Sequence, residues 1–141
     1  MVGMIKDSGI MGSPIKPDLS FPVIATKDIA NYAAKRLLAL DFEGNNHQDL
    51  LGAGNVTYPE MATVFGAAIG KPDLNYVQFP YADFKGAFMG MGASESVADK
   101  MNEFLVRVNA GEIFVAQRNE ENTTPTTIEE FSHTFNYVFN L

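Results

Sequence analysis

The stretch Gln48–Gly70, QDLLGAGNVTYPEMATVFGAAIG, constrains the fold of this chain more than any other. It reads as a short apolar strand at Leu50-Leu51, a Gly-x-Gly turn over Gly52–Gly54, and a helix from Pro59 to Ile69. Thr57 and Glu60 have the spacing of a capping box, in which each side chain satisfies a free backbone N–H at the helix start. Pro59 falls in the first turn, where its missing N–H costs nothing. Gly70, with Pro72 just after it, closes the helix. Strand, glycine turn and helix in this order can also open a dinucleotide-binding unit, and Asp73 lies about 20 residues on, where a ribose-binding acid belongs. Against that, the third small position is Thr57, a capping residue, and the strand is very short. A chain of 141 residues with these other elements also has no room for a full Rossmann sheet. The stretch therefore reads as a tight turn into a capped helix.

Around it the sequence spells out the remaining elements. Met1–Ile5 resembles the end of a helix, and Ile10–Gly12 a short strand. Ser13–Ser20, with Pro14 and Pro17, reads as an extended loop. Phe21–Ala25 is a short apolar run leading to Thr26 and Asp28, either of which can cap the next helix. From Asp28 to Leu40, Ile29, Tyr32, Ala33, Leu37 and Leu40 recur at helical spacing and predict an amphipathic helix with a buried stripe. Asn75–Phe79 alternates polar and apolar residues and predicts a strand. Pro80 opens a Phe- and Met-faced helix weakened by Gly86, Gly90 and Gly92. Ser94 or Ser96 caps the following helix, whose predicted buried stripe is Val97, Met101, Phe104, Leu105 and Val108, with Gly111 as its stop. Glu112–Asn122 reads equally as strand or packed loop. Thr126 and Glu129 repeat the capping-box spacing before a last helix, Ile128–Phe139, carrying Ile128, Phe131, Phe135, Val138 and Phe139. The sum is a mixed α/β (α+β) domain with about four to five helices and a few short strands.

Charge and composition narrow the partners. Net charge is −7, and the ten Lys and Arg are scattered, so there is no basic face for nucleic acid or an anionic membrane. The absence of cysteine rules out disulfides, thiolate catalysis and Cys-based zinc sites. No apolar run reaches the length of a membrane span, and Lys6 and Asp7 interrupt any signal-peptide core, so a cytoplasmic protein is expected. Glu129 and His133 share a helix face and His47 lies near Asp49, but neither pair has a third ligand, so no metal site is expected. No Ser–His–Asp set or spaced carboxylate pair suggests catalysis. Tyr76, Tyr81, Phe84 and Phe88 are the best candidates for binding a small-molecule substrate, since such pockets use aromatic walls. Plain core packing is the competing explanation for them.

Several stretches in order resemble the C-terminal portion of the NmrA-like family of atypical short-chain dehydrogenase/reductase proteins. They are Phe21–Ala30 (FPVIATKDIA), Leu51–Gly54 through Thr57 and Glu60, Ala68–Lys71 (AIGK), and Thr123–Phe131 (TTPTTIEEF). The resemblance implies NAD(P) binding by the full-length family, through a Rossmann half that precedes everything seen here and carries most cofactor and substrate contacts. Residues 1–20 are then expected to be an extended segment continuing from a missing Rossmann half, and residues 21–141 the substrate-side domain. The resemblance places Leu50–Gly70 in that substrate-side region. The expectation is an interaction or substrate-side domain that neither binds dinucleotide nor catalyses alone, with no cofactor of its own. The alternative is part of an NAD(P)H-dependent oxidoreductase, or of a redox-sensing regulator, completed by a missing segment. Exposed apolar surface, including Met1–Ile5 and the Phe-bearing helices, is expected to drive homo-oligomerisation.

Overall fold

A computed structural model describes residues 1–141. In chain order the elements are α1 (Val2–Ser8), β1 (Ile10–Ser13), β2 (Phe21–Pro22), α2 (Thr26–Ala39), β3 (Asn55–Val56) and α3 (Tyr58–Ala68). They are followed by β4 (Asn75–Gln78), α4 (Tyr81–Gly90), α5 (Glu95–Asn109) and α6 (Ile128–Phe139). The mixed α/β character expected from the sequence holds. Short α1, of which only the end was anticipated, brings the helices to six.

β1 and β4 pair in parallel, with Ile10 opposite Asn75 and Ser13 opposite Gln78. A parallel pair needs a long crossover, and here the crossover contains α2 and α3. β2 and β3 form a second, antiparallel pair, with Phe21 opposite Val56. Leu51, expected to lie in a strand before the glycine turn, lies in none. It makes a single parallel bridge to Thr123, and the strand proper, β3, comes after the turn.

Two apolar clusters hold these elements. The first contains Ile5, Met11, Ala62, Phe65, Leu74 and Phe135 and joins α1, β1, α3 and α6. Its centre is the stack of Phe65 on Phe135, with ring centroids 4.2 Å apart and planes 12° from parallel. Burying each such ring is worth about 1.5–3 kcal/mol. The second contains Ile15, Phe21, Leu105 and Val108, and Tyr58 and Met61 of α3 touch both clusters. At the surface Lys85 of α4 pairs with Glu95 (3.1 Å) and Asp99 (2.6 Å) of α5, and these hydrogen bonds raise the Lys85 pKa.

Several expectations need correction. Residues 1–20 contribute Ile5 and Met11 to the core with Phe65 and Phe135. Within Met1–Ile5, Ile5 is fully buried and Met1 is exposed. In α5 the buried residues are Ala98, Leu105, Val108 and Asn109, whereas Val97 and Phe104 are exposed. The last capping box uses Thr127 and Glu130, one residue later than expected, because Thr126 is engaged by Asp28. α2 has no side-chain cap: its N-cap is Ala25, and Asp28 points into the protein. Its apolar stripe is not buried, since Ile29, Leu37 and Leu40 are all exposed.

Candidate functional site

The glycine turn is shaped by packing. A Cβ on Gly52 would lie 1.6 Å from the Val23 carbonyl oxygen, so only glycine lets the turn rest on the Val23 backbone. Arg118 holds the turn from outside, donating to the Gly52 carbonyl and, at 2.7 Å, to Asn55 Oδ1. Thr57 and Glu60 then close the α3 start as a capping box: the Thr57 N–H donates to Glu60 Oε2 at 2.7 Å, and the Glu60 N–H to the Thr57 hydroxyl at 3.3 Å. The Thr57 bonds hold the Glu60 carboxyl below the usual range. Of the backbone N–H groups at this helix start, those of Thr57 and Glu60 are taken by the box itself.

The four aromatic candidates do not converge on one cavity. The Tyr76 hydroxyl meets Ser13 Oγ at 2.8 Å and donates towards the carbonyls of Ser13 and Ile15, while its ring stacks on Tyr58 at 4.8 Å. Burial pushes the Tyr76 pKa up, offset in part by the Ser13 hydrogen bond, and the hydroxyl stays protonated as a donor. Tyr81 accepts from Asn109 Nδ2 at 2.6 Å and lines an open hollow over α5. Phe84 stacks on Phe88 with centroids 5.6 Å apart, and both rings are half-buried. Tyr76 and Tyr81 thus hold the frame, and Phe84 and Phe88 present an apolar face.

Asn109 escaped the sequence reading. It is buried, donates to the Pro14 carbonyl at 2.9 Å and accepts from the Lys16 N–H at 2.8 Å. With Tyr76 and with Gln78, which donates to the Pro14 carbonyl at 3.2 Å, it clamps the Ser13–Lys16 loop. A single polar residue near a helix end carries no motif that would reveal this. Arg118, in an irregular segment, was equally silent.

Two half-open hollows lie between the Val23–Ala25 segment and the start of α6. A hollow of about 200 Å³ there is lined by Val23, Ala25, Met61, Phe65, Ile128 and Phe131 among others. A neighbouring hollow of about 240 Å³ shares Val23 and Ile128 and adds Gly54, Val56 and Glu129. Both are small for a drug-sized ligand, which fills roughly 300 Å³ or more. Asp28 anchors this region, accepting from the Thr126 N–H at 3.1 Å and the Thr126 hydroxyl at 2.8 Å. Burial would raise the Asp28 pKa, but the Thr126 hydrogen bonds outweigh it and hold the carboxyl below its ordinary value.

Two solved structures of a triphenylmethane reductase from Citrobacter sp., one complexed with NADP(H), superpose on 96% of this chain. Their TM-scores are 0.66 and 0.70, at 17% and 16% sequence identity. The chain shares part of that reductase's fold. It spans about half the length of these structures, covering 47% and 48% of their chains. Neither family models nor curated proteins give a match in sequence.

The remaining candidates stay apart. Glu129 and His133 line one open hollow with Ser132 and Asn136, but no three acidic, histidine or cysteine side chains gather as metal ligands. No helix is long and apolar enough to cross a membrane.

Proposed function

We propose that this chain is the substrate-side portion of an NmrA-like, NAD(P)-dependent reductase, and that it neither holds dinucleotide nor catalyses by itself. The observation that carries this reading is the superposition of 96% of the chain on about half of an NADP(H)-binding reductase. The ordered motifs FPVIATKDIA, AIGK and TTPTTIEEF support the same family. The capping box at Thr57 and the Val23 carbonyl packed against Gly52 support reading the one dinucleotide-like turn as a structural element. The stacked Phe84–Phe88 face of α4 is the substrate-contacting surface in this reading, with Tyr81 at the start of the same helix held by Asn109. Hydride chemistry would come from a nucleotide-binding segment outside residues 1–141.

Calorimetric titration of NADPH into the 141-residue chain tests the proposal. No saturable binding is expected, whereas a tight 1:1 isotherm would overturn it. Reading the DNA upstream of the Met1 codon supplies the complementary test: a strand–Gly-x-x-Gly-x-x-Gly–helix sequence there, in frame or shifted, is the expected result.

A further inference from the structure

The longest run of exposed residues in the chain is Leu37–Asp49, and residues 40–50 belong to no helix or strand. The hydrogen bonds of this loop are local. Arg36 donates to Asp41 at 3.1 Å, Asn46 Nδ2 to the Glu43 carbonyl, and Gln48 Nε2 to the Asp49 carbonyl at 3.0 Å. The backbone is tied to a distant segment again at Leu51, whose N–H donates to the Asn122 carbonyl at 2.7 Å. The other long irregular segment, residues 112–123, is held from several sides. Phe114 stacks on Phe21 at 5.5 Å, Arg118 donates to Gly52 and Asn55, and Asn122 is buried. An endopeptidase must draw several residues of unpaired backbone into its cleft, which a loop without distant ties permits and an anchored one resists. Between Arg36 and Lys71 there is no Lys or Arg, whereas Asp41, Glu43 and Asp49 all fall within the exposed run.

We propose that this loop is a processing site for an endopeptidase directed to acidic residues, cut after Glu43, and that the two pieces remain one folded body. Water adds across the Glu43–Gly44 peptide bond and leaves a carboxylate on Glu43 and an ammonium on Gly44. The unbroken chain is not what holds residues 1–43 in place. Ile5 and Met11 lie among Phe65 and Phe135, and Ile15 and Phe21 among Leu105 and Val108. β1 pairs with β4 and β2 with β3, so both strand pairs cross the cut. Asp28 takes both donors of Thr126, and Asn109 accepts from the Lys16 N–H. Inside residues 1–43 the one substantial packing of elements is α1 on β1. The smaller piece therefore has no core of its own and is ordered by the larger one. Four buried side chains and two strand pairings oppose the freedom the pieces would gain by parting.

Limited digestion of the intact chain with a glutamyl endopeptidase tests this. The first products expected are residues 1–43 and 44–141, identified by mass after denaturation, while the rest of the folded chain resists. On gel filtration without denaturant the two pieces should elute together, where the intact chain does, with its circular dichroism unchanged. Glu43→Gln should slow the first cleavage at least about tenfold, because every other glutamate needs a local opening to be reached. The same variant should melt where the unaltered chain does, since the Glu43 side chain makes no hydrogen bond or ion pair in an exposed loop. A first cut at Glu112, Glu120 or Glu121 would overturn the proposal. So would two pieces that part on gel filtration, or degradation in which residues 1–43 never accumulate.

Discussion

The Asp28 carboxylate takes both polar hydrogens of Thr126, its backbone N–H at 3.1 Å and its hydroxyl at 2.8 Å, across 98 residues of chain. The contact joins the first turn of α2 to the segment that starts α6, and both residues are buried. Asp28→Ala leaves the Thr126 donors unpaired in the interior and is expected to cost about 1.5–3 kcal/mol in urea unfolding at neutral pH.

Acid should erase the same contribution. The folded-state Asp28 pKa lies below its ordinary value of 3.8, so the stabilisation is present above 3.8. It is lost as pH falls through the lower folded-state value. Unfolding free energy followed downwards from pH 5 should fall less steeply in Asp28→Asn than in the unaltered chain. Equal slopes would show that the carboxylate contributes nothing to acid sensitivity.

Gly52→Ala is the most disruptive single methyl group available in the glycine turn. With the Val23 carbonyl 1.6 Å from the new Cβ, the turn must move off the Val23 backbone, and a loss of about 2 kcal/mol or more is expected. Gly54→Ala, where a Cβ meets open space, is the control and should be close to neutral. Thermal melts of the two variants distinguish them.

The two capping boxes should behave alike despite their different surroundings. Thr57→Ala and Thr127→Ala each remove a side-chain acceptor from a helix start. Each is expected to lower stability by about 0.5–2 kcal/mol in denaturant unfolding.

Tyr76→Phe keeps the ring on Tyr58 but removes the hydroxyl that binds the Ser13–Ile15 loop, and it should cost about 1–3 kcal/mol. The folded-state Tyr76 pKa is raised above its ordinary 10.0. Its linked stability is therefore full below pH 10.0 and is lost as pH rises through the raised value. Unfolding measured from pH 9 upwards should decline more steeply with Tyr76 than with Phe in its place.

What the sequence disclosed were elements whose signals are local. The α3 capping box is legible because Thr57, Pro59, Glu60 and Gly70 act within one helix, and β4 because alternation is a short-range pattern. What it hid were relationships between distant segments. Asp28 looks like a cap by position and is instead a partner of Thr126. That exchange also moved the last capping box from Thr126 to Thr127. Helical periodicity located the α2 stripe but not its direction, because periodicity does not say which face meets the body. The aromatic set was visible as a set, yet Tyr76 and Tyr81 spend their hydroxyls on Ser13 and Asn109. Neither partner is marked by any pattern.

The stack of Phe65 on Phe135 has a consequence for how the chain comes off the ribosome. The first core cluster draws Ile5 and Met11 from one end of the chain and Phe135 from the other. β1 likewise waits for β4, with Ser13 and Tyr76 separated by 63 residues. Synthesis delivers α1 and β1 long before the residues that cover them, and the cluster closes only when α6 has cleared the exit tunnel. Nascent chains stalled before residue 128 are thus expected to be cut readily by protease, with resistance arriving in one step once α6 emerges.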